Sequence, residues 1–350
     1  MVKRARHFEP RKWSDERPHV VMPVGLDPAG RTGPTTRQSR GRNWRRVWRG
    51  LYVPASADPG DAQQRVLEAA VLLPNLGAVT GWAAYAWVGA KWFAGMGEGR
   101  SVTLATYGHK ILARSGLAIS AERMPPRERC WVDGLPITNP ARSIAFEMRY
   151  AADVREAVRW LDLALASDQV STVEAAAYVA TLNGWTGVGL AREAIELADE
   201  NVWSPTEVDL RLLWRIDLGL TALVCNRPVF DLEGRHIGTP DVLDLEAGLV
   251  GEYDGKLHLE GKRRAIDIQR EGLFRAAGLE YVTMVSRDLL DPSGFLRRTV
   301  EARSRARRTP VADRRWTIDP PRWWTPTHTV EQRRALSAVE RERFLRNRAM

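Results

Sequence analysis

Asp241, Glu252 and Asp254 lie within one short stretch, IGTPDVLDLEAGLVGEYDGKLH, which covers residues 237–258. It reads as a hairpin, with strands over 237–245 and 249–254 and a turn at Glu246-Ala247-Gly248. Val, Ile and Leu fill its arms and Gly marks the turn. Side chains two apart on a strand share a face, so Glu252 and Asp254 project together. Asp241 can face them from the neighbouring strand, about 5 Å away if directly opposed. Three carboxylates on one face repel one another unless a proton or cation sits between them, and hard divalent ions such as Mg²⁺ take oxygen ligands of this kind. Asp244 and Glu246 read as surface residues at the turn.

The elements around the hairpin must hold it in place. Ser204-Pro205-Thr206-Glu207 is a capping box with proline at the first helical position. Val208, Leu212, Leu213 and Ile216 give the helix that follows a buried stripe. Glu207 therefore has a capping role available as well as a chemical one. A strand is expected over 223–230, a helix over 261–277 and a last strand over 280–285. The order is helix, three strands, helix, strand. On the helix over 261–277, Asp267, Glu271 and Arg275 are four apart and can pair along an exposed face.

Pro240-Asp241, ten intervening residues and then Glu252-x-Asp254 resembles the PD-(D/E)XK nuclease signature. The longer string Glu252-Tyr253-Asp254-Gly255, with His258 beyond it, is similar to the branch related to the very-short-patch-repair endonucleases. The resemblance implies an α/β core of the restriction-endonuclease type. It also implies a metal site of Glu207, Asp241 and Glu252 holding Mg²⁺ or Mn²⁺, and hydrolysis of phosphodiester bonds in DNA. Asp254 stands where that family usually has a Lys. It would then be a further ligand or general base, with Lys256, His258 or Arg270 supplying positive charge. Arg270 matches the polar helix residue that points into the site in similar nucleases. The missing Lys keeps a second reading open, a non-catalytic DNA-binding antitoxin or repressor that retains an inactive nuclease fold. An RNA-directed nuclease is a third and weaker reading.

Charge is unevenly spread. Residues 1–50 carry 13 Lys/Arg against 4 acids and residues 301–350 carry 13 Arg against 6 acids, on a chain of net charge +9. Residues 51–300 are therefore net acidic, and basic ends of this kind suit a polyanion. Thr35–Arg40 reads as a short basic helix. The segment from Trp44 to Val53, with Arg49-Gly50 near its turn, alternates like a β-hairpin. A basic helix followed by a basic ribbon is how a winged helix meets DNA. This segment resembles the wing of the AbiEi-type antitoxin domains found ahead of such nucleases. Arg37, Arg40, Arg42, Arg45, Arg46 and Arg49 are the expected DNA contacts, although no complete three-helix domain precedes Gly33.

The expected organisation is a flexible arm (1–30), a winged-helix-like segment (31–56), a mainly helical middle domain (57–200), the nuclease-like domain (201–300) and a basic Arg/Trp-rich tail (301–350). Within the middle domain, 61–73 and 80–88 read as helices, the first with Asp58 or Asp61 as cap. Trp316, Trp323 and Trp324 in the tail can stack on bases or wrap back onto the domain. Cys130 and Cys225 are too few for a disulfide framework, which suits a cytoplasmic protein. Residues 69–90 are uncharged but broken by Pro74-Asn75, Gly77 and Thr80-Gly81, so two buried helices fit better than a membrane span. The expected partner is double-stranded DNA, with a homodimer or a toxin partner left open.

Overall fold

The computed structural model describes residues 12–255 and 262–349. The chain forms two compact units, Met1–Glu147 and Met148–Met350. Helices and sheets are mixed in both. Among the described residues no helix is long and apolar enough to cross a membrane.

The first unit opens with two hairpins, β1 (Lys12–Ser14) with β2 (Arg17–Val21), and β3 (Trp44–Trp48) with β4 (Leu51–Pro54). Residues 12–21 are thus no loose arm. The Trp13 indole donates to the Asp133 carbonyl at 2.9 Å, and Arg17 pairs with the Asp133 carboxylate. Helix α1 (Ala62–Ala70) is capped by Asp61, whose side chain accepts from the Gln64 N–H, while Asp58 closes a local turn at Gly60. Strands β5 (Ala78–Thr80), β6 (Val102–Ala105), β7 (Leu117–Ser120), β8 (Arg129–Val132) and β9 (Leu135–Thr138) build a sheet in the order β7-β6-β5-β9-β8. The short helices α2 (Trp82–Trp87) and α3 (Phe93–Met96) lie between β5 and β6 in sequence. α2 is buried along its whole length, so its aromatics are core. Helix α4 (Pro140–Tyr150) runs across the division between the units.

The second unit begins with helices α5 (Val154–Ala166), α6 (Thr172–Ala180) and α7 (Val188–Leu197). These belong with the carboxylate region and do not form part of a separate middle domain ending at 200. Helix α8 (Pro205–Leu212) follows, and runs into a π-helical turn over Leu213–Asp217. The main sheet has the order β10-β13-β14-β15, from β10 (Leu223–Cys225), β13 (Val242–Asp244), β14 (Leu249–Asp254) and β15 (Glu280–Val285). The first three strands are antiparallel, whereas β14 and β15 run parallel. Helix α9 (Lys262–Ala276) makes the crossover between them, as parallel neighbours require. A smaller sheet, β12-β11-β16, combines β11 (Val229–Asp231), β12 (His236–Gly238) and β16 (Trp316–Thr317).

Two strands expected to be continuous are broken. The stretch 237–245 splits into β12 and β13 at Thr239-Pro240-Asp241, and 223–230 splits into β10 and β11 at Asn226-Arg227-Pro228. Both breaks hold a proline, which donates nothing to a ladder and restricts the residue before it. Asn226 takes the left-handed conformation (φ 45°), for which Asn is among the best-suited residues. The breaks face each other, because the Asn226 N–H donates to the Asp241 carbonyl at 3.2 Å. On one side Cys225 pairs with Val242; on the other Val229 pairs with Gly238. The two strands thus bend together out of one sheet and into the next, and Asp241 sits at the bend.

The basic C-terminal segment is not a loose tail. Helix α10 (Ser293–Ala306) contributes Arg303, which reaches the buried Asp244 at 2.7 Å and also pairs with Glu246. β16 closes the small sheet, and helices α11 (Val330–Arg334) and α12 (Ala338–Ala349) follow.

Candidate active site at the strand bend

Glu207, Asp241 and Glu252 come from three elements, namely α8, the bend before β13, and β14. Asp241 is half-buried, while Glu207 and Glu252 are buried. Next to Glu252 on β14, Gly251 admits Trp214 of the π-helical turn on the other face of the strand. A Cβ at 251 would lie 2.7 Å from the indole. Any side chain there would push Trp214 off the sheet.

The Asp241 carboxylate accepts from the Tyr253 N–H at 2.8 Å, which ties it to the residue after Glu252. Loss of water around it raises its pKa well above the usual carboxylate range, and the negative charges of Glu207 and Glu252 add to this. The Tyr253 N–H and the nearby Arg270 guanidinium pull the other way but do not win. The three acids therefore sit within one another's fields.

Ser204 caps α8 as expected, accepting from the Glu207 N–H, but the reciprocal half of the capping box differs, because the Glu207 side chain reaches the residue before the cap. The Glu207 carboxylate accepts from the Trp203 N–H at 2.8 Å, the Ser204 hydroxyl at 2.9 Å and the Asn226 amide at 2.7 Å. Both of its oxygens are thus held by donors. Glu252 forms an ion pair with Arg270 from α9. The Tyr281 hydroxyl lies beside this pair. Burial and the Glu252 charge push its pKa up, and a hydrogen bond with Arg270 opposes them. Asp254 stands at the exposed end of β14. It does not share the burial of Glu252, because the strand leaves the core there. Lys256 and His258 lie outside the described residues, as do the side chains of Lys262, Arg263, Arg264 and Asp267. On the described part of α9, Glu271 and Arg275 do pair, at 2.8 Å.

A supporting network was not read from the sequence. The Asn201 amide donates to the carbonyls of Cys225 and Asn226, and the Asn226 amide donates to the Asn201 carbonyl and to Glu207. Asn226-x-Pro228 inside an otherwise apolar run was the available signal. Tyr281 gave none, since an aromatic residue in a strand is unremarkable.

Among the described residues, no three or more His, Cys, Asp or Glu side chains are gathered closely enough to cage a metal. Mg²⁺ does not need such a cage. It keeps several waters and is commonly held by one or two carboxylates together with substrate phosphates. Asp241 and Glu252 fit that open mode, because they are adjacent and oxygen-only, and Arg270 offsets one of their charges. Glu207 fits it less well, since its oxygens are engaged in capping.

Among the basic residues of the first hairpins, Arg37, Arg40, Arg42, Arg46 and Arg49 are exposed. Arg45 instead points inward, to Glu68 at 2.6 Å and 3.0 Å. The basic helix expected over 35–40 is a single turn, Gln38–Arg40. The chain matches no family model, no curated protein and no solved structure.

Proposed function

We propose that the chain is a metal-dependent endonuclease acting on DNA, of the kind that the PD-(D/E)XK resemblance implies. The observation that carries this reading is the placing of Asp241 beside Glu252 at a bent sheet edge. A helix precedes the three antiparallel strands, and a crossover helix leads to a parallel fourth. Asp241 and Glu252 would hold Mg²⁺ or Mn²⁺. The bound ion supplies Lewis-acid activation of water and neutralises charge on the phosphate. The chain's own residues do the rest. The Tyr253 N–H orients Asp241, Arg270 balances Glu252, and Glu207 acts on Asp241 through its charge while it caps α8. The exposed arginines of the first unit would bind the phosphate backbone.

Incubation of supercoiled plasmid with Mg²⁺ or Mn²⁺ tests this, with the wild type compared against Asp241→Ala and Glu252→Ala. Metal-dependent cleavage lost in both variants is the expected result. No cleavage by the wild type, with salt-sensitive duplex binding retained in all three proteins, favours the second reading. That reading is a DNA-binding antitoxin or repressor on an inactive fold. Its support is specific: Asp254 replaces the family's Lys, and Glu207 is spent on its helix cap.

A further inference from the structure

The connection between β6 and β7 presents a surface that the fold itself does not use. These strands run parallel, so residues 106–116 must return the chain from one end of the pair to the other. Apart from Thr106 and the half-buried Ile111, every residue of that return is exposed, Tyr107 by 42% and Leu112 by 78%. The His109 N–H donates to the Thr106 carbonyl at 3.1 Å and closes a turn. Both central residues have positive φ, 52° at Tyr107 and 81° at Gly108. Asn, Asp or Gly fills such a turn readily, whereas a bulky aromatic is strained there. From residue 99 to residue 121 the chain holds Arg100, His109, Lys110 and Arg114 and no acid. The Arg114 backbone bonds Leu117 in both directions, and its guanidinium lies 5.8 Å from the centre of the Trp48 ring. Trp48 belongs to the β3–β4 hairpin and is fixed there by its indole, which donates to the Glu68 carbonyl. The return segment is thus seated beside the hairpin on which Arg46 and Arg49 are exposed.

We propose that residues 107–114 form a second contact with duplex DNA, continuous with the β3–β4 hairpin. Lys110 and Arg114 take backbone phosphates, and Leu112 lies against the groove between them with Tyr107 at its flank. The inference rests on the DNA reading above and extends it to a segment outside the hairpin.

Three observations favour this occupant. Backbone strain at a non-glycine residue gathers at ligand contacts and switch regions, and Tyr107 carries it on a segment that buries almost nothing. An acid-free set of cations attracts phosphate, and the exposed arginines of the neighbouring hairpin extend the same field. An apolar side chain between basic ones is how many proteins grip the minor groove. Anionic lipid shares the charge of DNA, but a surface that enters a bilayer buries far more apolar area than one leucine and one tyrosine supply. Duplex DNA therefore fits the set better than a membrane does.

The test uses the full chain and a short fluorescein-labelled duplex, read by anisotropy over a salt series in Ca²⁺ to suppress cleavage. Lys110→Gln should weaken binding and reduce the slope of log K against log salt by about 1. Leu112→Ala should weaken binding by roughly tenfold and leave that slope unchanged. Both side chains are exposed, so both variants should melt with the wild type. Tyr107→Asn, which suits the turn, should raise the melting temperature and still weaken binding, an opposition that a purely structural turn does not give. Unchanged affinity in Lys110→Gln and Leu112→Ala, with Arg46→Gln still reducing the slope, would overturn the proposal and leave the DNA reading. Failure of the wild type to bind the duplex would overturn both. Phosphatidylserine vesicles are run in parallel. Vesicle binding that Leu112→Ala abolishes, with duplex affinity intact, would assign the segment to membranes and overturn the proposal.

Discussion

The Tyr253 N–H holds the Asp241 carboxylate at 2.8 Å, so the acid at the strand bend is fastened to the backbone next to Glu252. That one bond sets the site and keeps the repulsion within it. Asp241 is raised well above its ordinary pKa, first by burial and then by Glu207 and Glu252. The folded state therefore holds a proton more tightly than the unfolded chain. This makes Asp241 a stability cost that grows as pH rises above the unfolded carboxylate pKa, until the folded group also ionises. Asp241→Asn keeps the oxygen that accepts from Tyr253 and removes the charge. It should raise the melting temperature at neutral pH by about 2–4 °C for each kcal/mol relieved, have no such effect near pH 4, and abolish metal-dependent cleavage. A variant with a lower melting temperature at pH 7 would show that the charge is compensated.

Arg45 and Arg46 are neighbours in β3 with opposite tasks. Arg46 is exposed, whereas Arg45 makes a two-pronged pair with Glu68. If the hairpin meets DNA phosphates, Arg46→Gln should weaken duplex binding and reduce the slope of log K against log salt by about 1. Arg45→Gln should leave that slope unchanged and lower the thermal midpoint instead. Fluorescence anisotropy over a salt series, paired with melting curves, separates the two. A slope change at Arg45 with none at Arg46 would reverse the assignment.

Much of this arrangement was legible in the sequence because local signals agreed with packing. The Ser204 helix cap, the β3–β4 hairpin and the strand that carries Glu252 each formed close to where their residues called for them. The breaks at Pro228 and Pro240 were not read. A run of Val, Leu and Ile says that a strand is buried but not which sheet it belongs to, and here the prolines decide that. Asn201 was invisible for another reason. Its two amide bonds reach carbonyls 24 and 25 residues away, and no local pattern encodes such a contact. The C-terminal arginines misled in the opposite sense. Their number suggested a surface for a polyanion, but Arg303 and Arg333 are spent on buried acids.

Below the sheet, Asp162 is fully buried and paired with Arg211, and its carboxylate also accepts from the Asp199 N–H at 2.9 Å. Burial pushes Asp162 up to about 7 in spite of the Arg211 charge, while Arg211 itself is held more firmly protonated by Asp162. Both shifts are upward, so the Arg211 shift favours the ion pair while the Asp162 shift opposes it, and the desolvation of Asp162 is the larger effect because no water reaches it. A raised carboxyl pKa means that stability falls as pH climbs from about 4 towards 7. Arg211→Leu removes the only positive charge bonded to Asp162 among the described residues and should cost about 3–5 kcal/mol at pH 7.5, less at pH 5. The double variant Arg211→Leu/Asp162→Leu should recover much of that loss. Urea unfolding at the two pH values measures all of this, and a pH-independent loss in Arg211→Leu would contradict the assignment.

Arg333 is the C-terminal counterpart of that pair. Only 1% exposed, it donates to Asp168 at 2.6 Å, to the Leu165 carbonyl at 2.9 Å and to the Thr327 carbonyl at 3.2 Å. Asp168, itself in the left-handed region (φ 60°), is also paired with Arg341 of α12. One guanidinium thus ties the end of α5 to the segment that precedes α11. A lysine cannot replace it, because a point charge does not reach three acceptors that a planar fork satisfies together. Arg333→Lys and Arg333→Ala should both destabilise the second unit, the alanine by about 3–5 kcal/mol because it leaves Asp168 without its most buried partner. Limited proteolysis should then cut first between residues 318 and 330, before the rest of the unit unfolds. Proteolysis that starts elsewhere would show that β16 alone holds this segment in place.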